Sequence, residues 1–194
     1  MPSPNPAELH PHDPAWPITA AGELARISAA LDGLGPAEFD HIGSTSVPGL
    51  RAKPFIDLQV RIDPLPDEAA LAARLEPLGY RMALGSRPDS PGVTRDIPRG
   101  GEPVADEVWQ KRLLTSADVP AILHIRRMDS PWGRYTVWFR DWLRANPEAR
   151  ARYEAVKLQL SAENAGKPDY DDYTRAKSAF FDEVQGAFTA WAAR

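Results

Sequence analysis

The stretch His41–Val60, HIGSTSVPGLRAKPFIDLQV, constrains this chain more than any other. Phe39–Ile42 reads as a short β-run. Gly43-Ser44-Thr45-Ser46 then breaks it with small residues that lend backbone N–H groups and hydroxyls to an anion. Pro48-Gly49 turns the chain again, and Pro54 biases Lys53 toward an extended conformation before Phe55–Val60 alternates as a strand. Successive strand side chains point oppositely, so Phe55, Asp57 and Gln59 share one face and Ile56, Leu58 and Val60 the other. Asp57 therefore faces wherever the Gly43 turn opens. The spacing fits a phosphate cradle beside a carboxylate-bearing strand, and it equally fits an ordinary tight turn feeding a buried strand.

Two familiar phosphate motifs are excluded. Pro48 stands where a Walker A loop has its second glycine, no Gly-Lys-Ser/Thr follows, and the dinucleotide fingerprint is missing. A Gly-Ser turn followed about a dozen residues later by a strand carrying Asp-x-Asp/Glu instead resembles the DNA polymerase β-type nucleotidyltransferase superfamily. Here the second acid is replaced by Gln59.

With 194 residues the chain suits one α/β core with a helical appendage. The absence of cysteine excludes disulfides, thiolate catalysis and Cys-type zinc sites. A formal net charge of −4 gives no overall basic footprint for nucleic acid, so any anion binding is local. No apolar run approaches the roughly 18 residues of a spanning helix, and the N-terminus lacks a signal-peptide pattern. The expected setting is cytoplasmic.

Pro2, Pro4, Pro6, Pro11, Pro14 and Pro17 make residues 1–18 an expected extended arm, with His10 and His12 exposed in it and Trp16 anchoring it. Residues 19–130 form the expected core: a helix over Leu24–Leu34, the strands around the cradle, a helix capped by Asp67, strands at Tyr80–Leu84, Val108–Leu114 and Ala121–Met128. On the last of these Ile122, His124 and Arg126 share a face opposite Leu123 and Ile125. Gly85–Asp106, with Arg87, Arg95 and Arg99, reads as a loop or lid over an anion. Residues 131–194 form an expected helical part, Trp132–Ala145, Pro147 to about Ala165, and Tyr170 onward, packed on the core. Lys177, between Tyr173 and Phe181, and Lys157, between Tyr153 and Leu160, project from apolar stripes. Each is either a snorkelling lysine or a charge aimed into a cleft.

Taken together, these residues resemble the GrpB family of predicted nucleotidyltransferase-fold proteins. The resemblance runs from Asp13-Pro14-Ala15-Trp16-Pro17 through HIGSTSVPGL, AKPFID, Trp109-Gln110-Lys111-Arg112, Leu123-His124-Ile125-Arg126 and Phe139–Ala145 to Tyr153, Lys157, Tyr173 and Ala176-Lys177. It implies a nucleotidyltransferase-like mixed sheet flanked by helices, with a helical C-terminal part. Members also occur fused to dephospho-CoA kinase, which implies a nucleotide or phosphorylated small-molecule ligand. On that reading Gly43, Ser44, Thr45, Lys53, Gln59, Arg126, Lys157, Tyr173 and Lys177 serve the phosphate or substrate, and Asp57, His124 and His41 are the catalytic candidates. A divalent ion, Mg²⁺ or Mn²⁺, would sit on Asp57 and His124, a donor pair poor in hard oxygens. Transfer of a nucleotidyl group, a non-catalytic nucleotide or coenzyme A module, and repurposed acid/base chemistry on a small acid all remain open, as does the oligomeric state. A third acid near Asp57, such as Asp96 or Asp106, would favour the enzyme.

Overall fold

A computed structural model describes residues 5–90, 92–99, 104–116 and 118–194. Within them, β1 (Ala37–Ile42), β2 (Ile56–Ile62), β3 (Tyr80–Met82), β4 (Lys111–Ser116) and β5 (Ala121–Arg127) form one mixed sheet in the order β1-β2-β5-β4-β3. Only β2 and β5 run parallel, at the centre of the sheet. Helices α1 (Ala15–Ala30) and α2 (Glu68–Leu75) cover one face, and α3 (Pro131–Ala145), α4 (Pro147–Glu163) and α5 (Asp171–Ala192) build the other side.

The strand alternation decides which core each residue joins. Ile56, Leu58, Val60, Leu123 and Ile125 pack with Ala20, Ile27, Leu71 and Leu75 beneath the sheet. The apolar stripes of the C-terminal helices close on themselves, with Tyr135, Phe139, Leu143, Tyr153, Phe180, Val184 and Phe188 in a second core that also takes Val47 and Leu50 from the turn after the cradle. Phe139 contacts five aromatic rings at centroid distances between 5.0 and 6.4 Å, the spacing of favourable edge and offset packing. Asp67 caps α2 as expected, accepting from the Ala70 N–H at 2.7 Å.

Three boundaries differ from the sequence reading. Helix α1 begins at Ala15 rather than near Thr19, because Pro17 falls in the first turn, where an N–H has no intrahelical acceptor to lose. Trp16 is accordingly a core residue of α1 and not an anchor for an arm. The described part of the arm is docked: His10 bridges to Ala52, and Ser161 Oγ donates to the Ala7 carbonyl at 2.8 Å. Residues 1–4 of that arm lie outside the described residues. Val108–Leu114 is not one strand, since Asp106–Trp109 forms a 3-10 turn that buries Val108 and Trp109, and pairing with β5 starts at Lys111. Among the described residues no helix is long and apolar enough to cross a membrane.

Candidate functional site

The space left between the sheet and helices α3 and α5 is a cavity of about 560 Å³. Gly43, Ser44, Thr45, Lys53, Asp57, His124, Arg126, Tyr173 and Lys177 all line it. Strand phase explains this convergence. Asp57 on β2 and His124 and Arg126 on β5 point away from the Leu58 and Leu123 core, and the parallel register sets Gln59 beside His124. Asp57 is thus one diagonal step from the imidazole, with Oδ1 3.5 Å from Nε2.

Behind His124 stands a buried ionic cluster. The Lys111 ammonium lies 3.1 Å from His124 Nδ1 and 3.4 Å from Asp96 Oδ1. Arg126 grips Asp96 with two bonds, Nε at 2.7 Å and Nη2 at 3.0 Å. Burial, followed by the charges of Lys111 and Arg126, pushes the His124 pKa down to about 4. An ammonium has no lone pair, so the neutral imidazole accepts at Nδ1 and carries its proton on Nε2, toward Asp57. Burial lowers Lys111 to about 8, opposed by Asp96. Burial also works against the Asp57 carboxylate, but the His124 N–H and the Lys177 and Lys53 ammoniums outweigh it and hold its pKa below the usual carboxylate value.

On the other wall two lysines share the cavity. Lys53 Nζ sits 3.3 Å from the Tyr170 ring centroid and 5.5 Å from that of Tyr173. Its pKa falls to about 7, through burial first and the Lys177 charge second. Lys177 Nζ lies 5.5 Å from the Tyr173 ring. Burial opposes its charge, yet the charges that Tyr153 and Tyr173 carry once ionised, and the Asp57 carboxylate, raise its pKa above the ordinary lysine value. Neither ammonium forms an ion pair with a described residue. The cradle beside them is braced from α3: Arg140 Nη1 donates to the His41 carbonyl at 3.0 Å, and Arg144 donates to the Ser46 carbonyl at 2.7 Å.

Three candidates fall outside the cavity. His41 pairs with Leu58 on the opposite strand phase, and its Nε2 meets Thr45 Oγ1 at 3.0 Å, so it buttresses the turn from behind. Burial sends its pKa to about 4. Gln59 is fully buried, accepting from Arg126 and Thr136 and donating to the Gly133 carbonyl at 3.0 Å. Lys157 is buried, donates to the Arg51 carbonyl and lies 5.0 Å from the Tyr153 ring. Arg126 does reach the cavity, but Asp96 and Gln59 occupy its donors.

The loop arginines also divide. Arg87 pairs with Asp169 and Asp172, and Arg95 with Asp106, while Arg99 pairs with Asp182 at 2.6 Å and lies over the Trp132 and Phe181 rings at the cavity wall. Pro91 and residues 100–103 of the expected lid lie outside the described residues. Lys111 was legible only as part of a motif, because its strand phase becomes meaningful once β4 is known to pair with β5. Tyr170 carried no sequence signal beyond its position at the start of α5.

A two-metal centre does not fit these donors. Gln59 is covered by α3 and bonded to Gly133, Thr136 and Arg126, both oxygens of Asp96 are engaged by Arg126, and Asp106 is exposed beside Arg95. Among the described residues no group of three or more His, Cys, Asp or Glu side chains is placed to hold an ion.

A family model described as GrpB protein matches residues 6–186. The chain belongs to the GrpB family. It is 34% identical to a dephospho-CoA kinase of Mycolicibacterium paratuberculosis over 96% of its own length and 47% of that protein's. It therefore spans about half the length of that relative. A UPF0157 protein of Halalkalibacterium halodurans is 31% identical over 91% of this chain and 84% of its own. The crystal structure of a conserved GrpB protein from Enterococcus faecalis superposes with a TM-score of 0.73 at 24% identity, covering 96% of this chain and all of that one. At that identity the likeness speaks for the fold, a five-stranded mixed sheet flanked by helices.

Proposed function

We propose that this GrpB domain binds a phosphorylated small molecule, of nucleotide or coenzyme A type, in the cavity between the sheet and α5. One observation carries the reading: the Lys53 and Lys177 ammoniums, without ion-pair partners among the described residues, open with the Gly43–Thr45 turn into one cavity that aromatic side chains also line. Charged hydrogen bonds to a phosphate and ring contact on Trp132, Phe139 and Phe181 suit the two parts of such a ligand. The name of the half-matching relatives makes dephospho-coenzyme A and coenzyme A the first ligands to try. Isothermal titration of these, of nucleotides and of inorganic pyrophosphate tests the reading. Binding that disappears in Lys177→Met supports it, and no binding of any of them sinks it.

A second reading is acid/base chemistry on the bound molecule, favoured by the chain of contacts from Asp96 through Lys111 and His124 to Asp57 at the cavity surface. In it Asp57 takes a proton from a ligand hydroxyl while His124, fixed in one tautomer by Lys111, orients the carboxylate. Turnover of a bound ligand that stops in Asp57→Asn while binding persists would favour it.

A further inference from the structure

Building on the anion-binding reading, we propose that the Lys53–Lys177 pair selects dianionic phosphate monoester ends over phosphodiesters and carboxylates, and that Lys53 takes up a proton when such an end binds. The argument starts from the charges that face each other. From α5 come Lys177 and Asp171, from β2 Asp57, and from β4 Lys111, while Tyr170, Tyr173 and Phe55 supply the rings around the Lys53 ammonium. Asp171 accepts from Ser90 Oγ at 2.6 Å and lies 4.0 Å from Arg87, and Lys111 is held by Asp96 and His124. Those two charges have partners. Arg99, Arg126 and Arg140 also line the cavity and are held by Asp182, Asp96 and Asp141, so what remains without such a partner among the described residues is the two ammoniums, with Asp57 the carboxylate that faces them.

Without ligand, two cations enclosed together repel, and a buried amine relieves this by releasing its proton. Lys53 is the member whose pKa is lowered, to about 7, by burial and by Lys177. Lys177 keeps its charge, balanced by Asp57. A monoanion, whether diester or carboxylate, is neutralised by one ammonium. A dianion needs both, and its second charge restores the conditions under which Lys53 holds a proton. A phosphate monoester carries that second charge above a pKa near 6.

The test compares phenyl phosphate with methyl phenyl phosphate, which share a ring and differ in charge. Calorimetry of the full chain at about pH 8, in two buffers of different ionisation enthalpy, reads affinity and proton uptake together. The expected result is a monoester preference of about tenfold or more, as for one extra charged hydrogen bond, with uptake approaching one proton. Lys53→Met should bind both esters alike without uptake. Lys53→Arg should keep the preference and lose the uptake, since a guanidinium stays charged, and this variant guards against a Lys53→Met protein that does not fold. Equal affinity of the wild type for the two esters, or proton uptake that survives in Lys53→Arg, overturns the proposal and leaves anion binding standing. If neither ester nor pyrophosphate binds, both fall together.

Discussion

Gly43 seats Asp57. A Cβ built on Gly43 would lie 2.8 Å from both Cβ and Cγ of Asp57, on a backbone at φ +70° and ψ −172° that L side chains rarely adopt. The glycine therefore serves the carboxylate as much as any approaching anion. Gly43→Ala should cost about 1–3 kcal/mol in urea unfolding from backbone strain and should also displace Asp57 and weaken pyrophosphate binding. An alanine variant with wild-type stability and affinity would show that the turn relaxes freely.

Gln59→Glu restores the Asp-x-Glu pair of the polymerase β-type superfamily in sequence but not in space. The new carboxylate would face Arg126 and lose the donor to the Gly133 carbonyl, so no oxygen is added beside Asp57. Titration with Mn²⁺ should show no gain in affinity over wild type, and unfolding should show a loss of about 1–3 kcal/mol from an unsatisfied or repelled buried group. A clear rise in Mn²⁺ affinity would mean that residue 59 reaches the cavity.

Much of this site was readable from alternation and turn chemistry. The Gly43 turn, the face of Asp57 and the shared face of Ile122, His124 and Arg126 all follow from a period of two, and the structure keeps them. What the period leaves undetermined is depth. Gln59 and Asp57 share a strand face, yet α3 covers the first and leaves the second at the cavity, because Gly133 and Thr136 approach the sheet just there. Lys157 and Lys177 are equally placed on apolar stripes, but α4 aims its lysine at the Arg51 carbonyl while α5 aims its own into the cavity. Helical phase fixes direction around an axis and says nothing of what lies opposite. The Lys111–His124 contact depends on the pairing of β4 with β5, a long-range choice that no local pattern encodes.

The buried lysines set the pH dependence of folding. Burial lowers Lys157 to about 7 and Lys111 to about 8, below the ordinary lysine value near 10.5. Between those values and that reference the unfolded chain binds more protons than the native one, so stability rises with pH across that window. Below about pH 7 both states are protonated and the full cost of a buried ammonium is felt. Unfolding of the ligand-free protein should therefore grow harder from pH 7 to 10, and Lys157→Met should raise stability at pH 7 while reducing the slope by about 1.4 kcal/mol per pH unit, one proton's worth. Pyrophosphate affinity should not change, because Lys157 does not line the cavity. A variant with an unaltered slope would place the Lys157 ammonium in water.

Asp57 is the residue on which binding and chemistry make opposite demands. Its carboxylate lies among Lys53, Lys177 and His124, lowering the net positive charge an incoming phosphate would meet. If the domain binds anions and Asp57 only balances the lysines, Asp57→Asn should strengthen pyrophosphate binding several-fold, since removing one opposing charge near a site of intermediate dielectric is worth on the order of 1 kcal/mol. The comparison belongs near pH 6, because Asp57 also raises the Lys53 pKa and its loss would leave Lys53 less protonated at higher pH. Stability should fall, because the His124 N–H and the two ammoniums outweigh the desolvation of this carboxylate and the amide gives up that net gain. Weaker binding in Asp57→Asn would instead make the carboxylate a direct partner of the ligand, accepting from one of its hydroxyls, which is the geometry that proton abstraction by Asp57 requires.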